Sequence, residues 1–146
     1  MSPSTGDAWY VLGLVKLKAM LVCEDVRFEV GGTVTLVGVF NERLLVEPGE
    51  GPIVLPRLAF LAVIGGLRGV EQIRFRQWIR LEDTELTARP LTIEAHDPAQ
   101  DEHNFAFSES PMVFPEAGTY EVALDLEIGD RRQAYRYPFR VERRAA

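Results

Sequence analysis

The end of the chain limits the fold more than any other stretch. Tyr120, Val122, Leu124, Leu126 and Ile128 alternate with Glu121, Asp125 and Glu127; Gly129 and Asp130 follow; Tyr135, Tyr137, Phe139 and Val141 then resume the alternation. A period of two sends successive side chains to opposite faces of an extended strand, so each segment has one apolar and one polar face. Gly129-Asp130 supplies the turn chemistry for a tight reversal between them. The result is a long antiparallel hairpin whose apolar face needs a second layer to cover it.

The same period recurs upstream, and long helical periodicity is missing. Residues 19–23 form an apolar run suited to a central strand, after which Val26, Phe28 and Val30 alternate with Arg27 and Glu29. Gly31-Gly32 fits the central positions of a tight hairpin turn, where positive φ is needed. Val34, Leu36 and Phe40 continue beyond it. Residues 41–56 hold the short apolar piece Leu44 to Val46 among Pro48, Gly49, Gly51 and Pro52, which reads as a long loop or a weak edge strand.

Further on, Leu58, Phe60, Ala62 and Ile64 share one face and Leu61 and Val63 the other, a strand buried on both sides. Ile73, Phe75, Ile79 and Leu81 point inward against an outer row of Arg74, Arg76, Trp78 and Arg80, with Gln77 as the inward exception. Shorter strands are expected over residues 91–95 and around Phe105 and Phe107. About eight short strands with turn signals between them mean an all-β fold, an antiparallel immunoglobulin-like β-sandwich. One domain is expected over residues 18–143, preceded by a partly disordered N-terminal extension, residues 1–17.

Gly118-Thr119-Tyr120, leading into two long alternating strands, resembles the start of the final hairpin of immunoglobulin-like and fibronectin-like domains. A wider resemblance runs through Cys23-Glu24-Asp25-Val26-Arg27, Glu29, Gly31-Gly32, Leu36-Val37-Gly38-Val39-Phe40 and Leu55-Pro56-Arg57-Leu58. On these residues the chain resembles an uncharacterised bacterial family of small β-rich proteins known only as a domain of unknown function. That resemblance implies a β-rich fold and a bacterial cytosolic setting, and makes the stretch before Met20 an extension. It transfers no activity.

Composition excludes some partners. A net charge of −6 disfavours nucleic acid, whose binding needs a dense basic surface. The single cysteine, Cys23, has no partner for an internal disulfide, which favours a cytoplasmic setting. Residues 8–23 are too interrupted by Lys16 and Lys18 for a membrane helix, and no basic segment opens a signal peptide.

Four groups of residues deserve comparison with their ordinary structural roles. Cys23, Asp25 and Arg27 share a strand face opposite Glu24, so a buried cysteine beside an Asp25–Arg27 ion pair competes with a reactive thiol. His96, Asp97, Asp101, Glu102 and His103 bring both histidines and three carboxylates into one loop, a set that suits a divalent metal but matches no named ligand spacing. Polar residues around a Pro are also what an exposed loop contains. The row Arg74, Arg76, Trp78 and Arg80 offers forked donors and a stacking face, whereas cross-strand pairing with the acidic face of residues 121–127 would consume the same arginines. Leu44 and Leu45 mark an edge strand, where another chain can pair.

No nucleophile elbow, phosphate loop, dinucleotide fingerprint or paired-cysteine motif is present in the sequence. The expectation is therefore a non-catalytic binding or assembly module without a cofactor, recognising a protein partner or another copy of itself. The alternative is a sandwich that binds a divalent metal, small anion or sugar through residues 96–103.

Overall fold

The computed structural model describes residues 15–41, 43–81, 84–86 and 91–145. Residues 1–14 of the expected extension lie outside that set, and the first strand starts at Lys16, ahead of the expected boundary at Lys18. Every regular element among the described residues is a strand: β1 (Lys16–Phe28), β2 (Val34–Phe40), β3 (Arg43–Val46), β4 (Ile53–Leu55), β5 (Leu58–Gly65), β6 (Gln72–Leu81), β7 (Thr84–Glu85), β8 (Thr92–Ala95), β9 (His103–Glu109), β10 (Met112–Phe114), β11 (Gly118–Ile128) and β12 (Arg131–Arg143).

These strands build two main sheets. One has four strands in the order β2-β1-β5-β9; the other runs β3-β12-β11-β6-β7, with β8 also joined to β6. A separate ribbon pairs β4 with β10. Every pairing is antiparallel except that of β3 with β12.

Alternation determines what each sheet turns toward the other. The inward row of β11, from Tyr120 to Leu126, is buried, as are Phe60 and Ile64 of β5 and Phe139 and Val141 of β12. Phe60 meets Phe139 with ring centres 6.0 Å apart, and Phe75 of β6 meets Phe105 of β9 at 4.8 Å. Aromatic side chains from the two sheets thus touch across a shared core, which makes the protein an all-β sandwich. Burying a side chain of this size contributes about 1.5–3 kcal/mol, so the aromatic rows are a large part of what holds the layers together.

The closing hairpin matches its sequence signal. Tyr120 pairs with Phe139 and Leu124 with Tyr135, and Gly129 takes a positive φ of 63° at the reversal. β5 is buried on both faces, since Ala59 and Leu61 are as enclosed as Phe60 and Ala62.

Three details differ from expectation. The Gly31-Gly32 turn is wider than a two-residue reversal: the Glu29 N–H donates to the Thr33 carbonyl at 2.9 Å around residues 30–32. Phe28 and Val30 continue the alternation past the end of the core and stand exposed. Among the described residues the strand count runs to twelve instead of about eight, because β3, β4, β7 and β10 are short segments with little alternation to reveal them.

Candidate functional site

Among the described residues, β3 is an end strand of its sheet, with β12 on one side only. The Val46 carbonyl accepts the Arg144 N–H at 2.8 Å, so the backbone groups of Val46, and by alternation those of Leu44, turn toward β12. Those of Arg43, Leu45 and Glu47 therefore face away. Both leucines were candidates for an interaction surface, and the structure separates them: Leu44 is buried in the core, whereas Leu45 is 40% exposed.

Leu45 sits between two adjoining open grooves. One, of about 690 Å³, is lined by Val39, Phe40, Asn41, Arg43, Leu45 and Arg144. The other, of about 370 Å³, runs from Leu45 and Val46 past Pro48 to Ile53, Val54 and Arg143. Val39 at 44% and Val54 at 60% exposure flank the edge on either side, so apolar surface continues from β2 across β3 to β4.

The basic row of β6 is engaged within its own sheet. β11 runs alongside in a register that sets Arg80 opposite Glu121, Trp78 opposite Ala123, Arg76 opposite Asp125 and Arg74 opposite Glu127. Arg74 approaches Glu127 at 3.9 Å and Arg80 approaches Glu121 at 3.8 Å, while Arg76 pairs with Glu85 at 2.9 Å. From β12, Arg136 reaches Asp125 at 3.1 Å and Arg132 reaches Glu127 at 3.2 Å. Trp78 does lie on the outer side, as its parity requires, but it is only 6% exposed. The small Ala123 beside it leaves room for the guanidinium groups of Arg76 and Arg136, 4.7 and 5.4 Å from the ring centre, to cover it.

The five residues of the loop candidate divide. His96, just after β8, and His103, opening β9, bring their Nδ1 atoms to 2.9 Å. Asp97, Asp101 and Glu102 do not join them. The Asp97 carboxylate accepts the Ala99 N–H at 2.9 Å, Glu102 pairs with Lys18 at 3.2 Å, and Asp101 contributes its backbone carbonyl to the Leu67 N–H. Among the described residues, no group of three or more His, Cys, Asp or Glu side chains converges on a common point. A residue outside the expected set, Glu94 of β8, takes part instead, its carboxylate 2.7 Å from His103 Nε2. Its signal in the sequence was parity, since Glu94 and His96 occupy alternate positions of one extended segment.

A family model described as a family of unknown function, DUF6941, matches residues 18–142. The chain belongs to this family. No curated protein matches it.

The residues at the start of the DUF6941 match gather at one end of β1. Cys23 is fully buried, and its thiol points at the carbonyls of Asp25 and Ala59, 3.4 and 3.7 Å away. Burial pushes the thiol up from its ordinary pKa, and the charges of Asp25 and Glu24 add to this against a backbone hydrogen bond with Asp25. Such a thiol is a poor nucleophile. Asp25 receives Arg27 at 3.4 Å and Arg57 at 3.2 Å. Arg57, which the expected pair omitted, arrives from the segment before β5 and ties β1 to it. Among the described residues, no helix is long and apolar enough to cross a membrane.

Proposed function

We propose that this DUF6941 chain is a non-catalytic assembly module that joins a second copy of itself along the free edge of β3. The observation that carries this reading is the order of side chains there. Arg43, Leu45 and Glu47 share one face, and their backbone groups are the ones turned away from β12. In an antiparallel pairing of two β3 edges about a two-fold axis at Leu45, Arg43 of one chain opposes Glu47 of the other, twice, and Leu45 opposes Leu45. The segment is complementary to itself, as an isologous contact requires.

Each opposed pair can exchange two backbone hydrogen bonds, and each bond contributes about 0.5–1.5 kcal/mol net. Val39 and Val54 extend the apolar contact to either side of the edge. Because association itself costs about 4–15 kcal/mol, a contact this short gives a weak, concentration-dependent dimer.

An immunoglobulin-like reading of the sandwich draws support from Tyr120, near the start of β11. Its hydroxyl donates to the Glu116 carbonyl four positions upstream, as the tyrosine corner of Greek-key sandwiches does. A cytoplasmic setting fits the single buried, unpaired Cys23.

Sedimentation velocity over a wide concentration range tests the assembly. The expected result is a monomer–dimer equilibrium that Leu45→Lys shifts to monomer. A wild-type chain that stays monomeric at every concentration contradicts it.

A further inference from the structure

The contacts around His96 and His103 leave an accounting problem that hydrogen bonds between two neutral rings do not close. His96 Nε2 lies 2.9 Å from the Gln100 carbonyl oxygen, and His103 Nε2 lies 2.7 Å from Glu94 Oε1. A carbonyl and an ionised carboxylate only accept, so both Nε2 atoms must carry hydrogen. A neutral imidazole has one hydrogen, which leaves both Nδ1 atoms with bare lone pairs. Those two lone pairs face each other across 2.9 Å. Two acceptors at that separation repel unless a positive centre sits between them.

The surroundings are those of a prepared ligand pair. Histidines that bind metal through one nitrogen usually donate the other N–H to a carboxylate or a backbone carbonyl, which fixes the tautomer and aims the ring. Here one histidine has each kind of partner. The pair is also held from outside: the His96 backbone N–H donates to the Glu71 carbonyl at 2.9 Å, and His103 packs its ring centre 4.6 Å from that of Phe105. The loop between them is pinned where the Gly69 N–H meets the Pro98 carbonyl and the Leu67 N–H meets that of Asp101. His96 is only 5% exposed, which keeps bulk water from solvating its lone pair.

We infer that His96 and His103 form a two-histidine site for a borderline-soft transition-metal ion of the zinc class, bound through both Nδ1 atoms, with Glu94 and the Gln100 carbonyl orienting the rings. Zinc–nitrogen bonds of about 2.0–2.1 Å at a tetrahedral centre place two nitrogens about 3.3 Å apart, so the pair opens by a few tenths of an ångström to admit the ion. Paired imidazoles favour zinc, nickel, cobalt or copper over calcium and magnesium, which prefer oxygen. Water entering from the side of His103, whose side chain is 15% exposed, completes the coordination shell. The site uses none of the β3 residues and stands apart from the assembly reading.

Calorimetric titration of the untagged, metal-stripped protein with zinc chloride tests it, with calcium chloride as the control. One zinc ion per chain is expected, with no calcium uptake. His103→Gln abolishes binding. Glu94→Gln keeps both ligands and the fold, as circular dichroism can verify, and weakens binding about 10–100-fold. No zinc uptake by the wild-type chain, or uptake that survives His103→Gln unchanged, overturns the inference and leaves a proton shared between the rings as the positive centre.

Discussion

Arg76 holds its guanidinium carbon 4.7 Å from the centre of the Trp78 ring, and Arg136 closes over the same ring from β12. The indole N–H beneath them is buried without a hydrogen-bond partner among the described residues. The cover is made of charges that are themselves held by Glu85 and Asp125, so Trp78 lies beneath an ionic cover on the outer face of the six-stranded sheet.

Replacing both Arg76 and Arg136 by Ala is expected to shift the Trp78 emission to longer wavelength as water reaches the ring. The loss of stability should stay within about 1–2 kcal/mol, since exposed ion pairs and cation–π contacts contribute little each. The measurement is fluorescence in a chain whose other tryptophan, Trp9, is replaced by Phe. An unchanged spectrum would mean that the arginines do not cover the ring.

Asp25 ties acid stability to the end of β1. Burial works against its ionisation, but the hydrogen bond from Arg27, the positive charge of Arg57 and the Val26 N–H outweigh it and hold the carboxyl below the usual carboxylate range. Its value in the folded chain is thus lower than in the unfolded one. The stabilisation is fully present above an ordinary aspartate pKa of about 3.9 and is lost as pH falls through the folded value. Asp25→Asn should flatten the acid limb of a urea-unfolding series and change little in its shape near neutrality. An identical acid limb in the two proteins would contradict this.

Cys23 should react with thiol reagents only as fast as the chain opens. The thiol is enclosed between β1 and β5 and pushed up by burial, which leaves little accessible thiolate. Labelling at pH 8 is expected to be far slower than for a small-molecule thiol, and to approach that rate in denaturant. Rapid labelling of the native chain would mean that this end of β1 opens readily.

Phe60 joins the layers, stacking on Phe107 at 4.8 Å within its own sheet and meeting Phe139 across the core. Phe60→Ala should destabilise by about 3–5 kcal/mol, measured by urea unfolding, because neighbours on two sheets cannot both collapse into the cavity. A cost below about 1 kcal/mol would show that the sheets do not depend on this contact.

What the sequence made legible follows from where a single strand carries enough information. The hairpin of β11 and β12 could be read because Tyr120 to Ile128 and Tyr135 to Val141 alternate over long runs with a turn between them. β4 and β10 could not, since Ile53–Leu55 and Met112–Phe114 are too short to show a period. Parity placed Trp78 on the outer face, but its burial depends on Ala123 and Arg136 from strands far away in the chain. Leu44 and Leu45 looked equivalent as an apolar pair; only the pairing of β3 with β12 shows which one faces the core. The convergence of His96 and His103 depends on how the intervening loop folds back, so proximity in sequence grouped them with Asp97, Asp101 and Glu102, which turn elsewhere.

The assembly reading rests on the charge order along β3, and a charge exchange tests it most directly. Arg43 and Glu47 are exposed, and Glu142, the present partner of Arg43 at 3.1 Å, keeps Arg140 at 2.8 Å when Arg43 is replaced. Light scattering behind size exclusion at matched high concentrations would compare the wild type, Arg43→Glu, Glu47→Arg and the double exchange. A dimer in the wild type, monomers in both single variants and a dimer restored in the double exchange is the expected result. A wild-type monomer, or a dimer that persists in both single variants, would contradict pairing through the β3 edge.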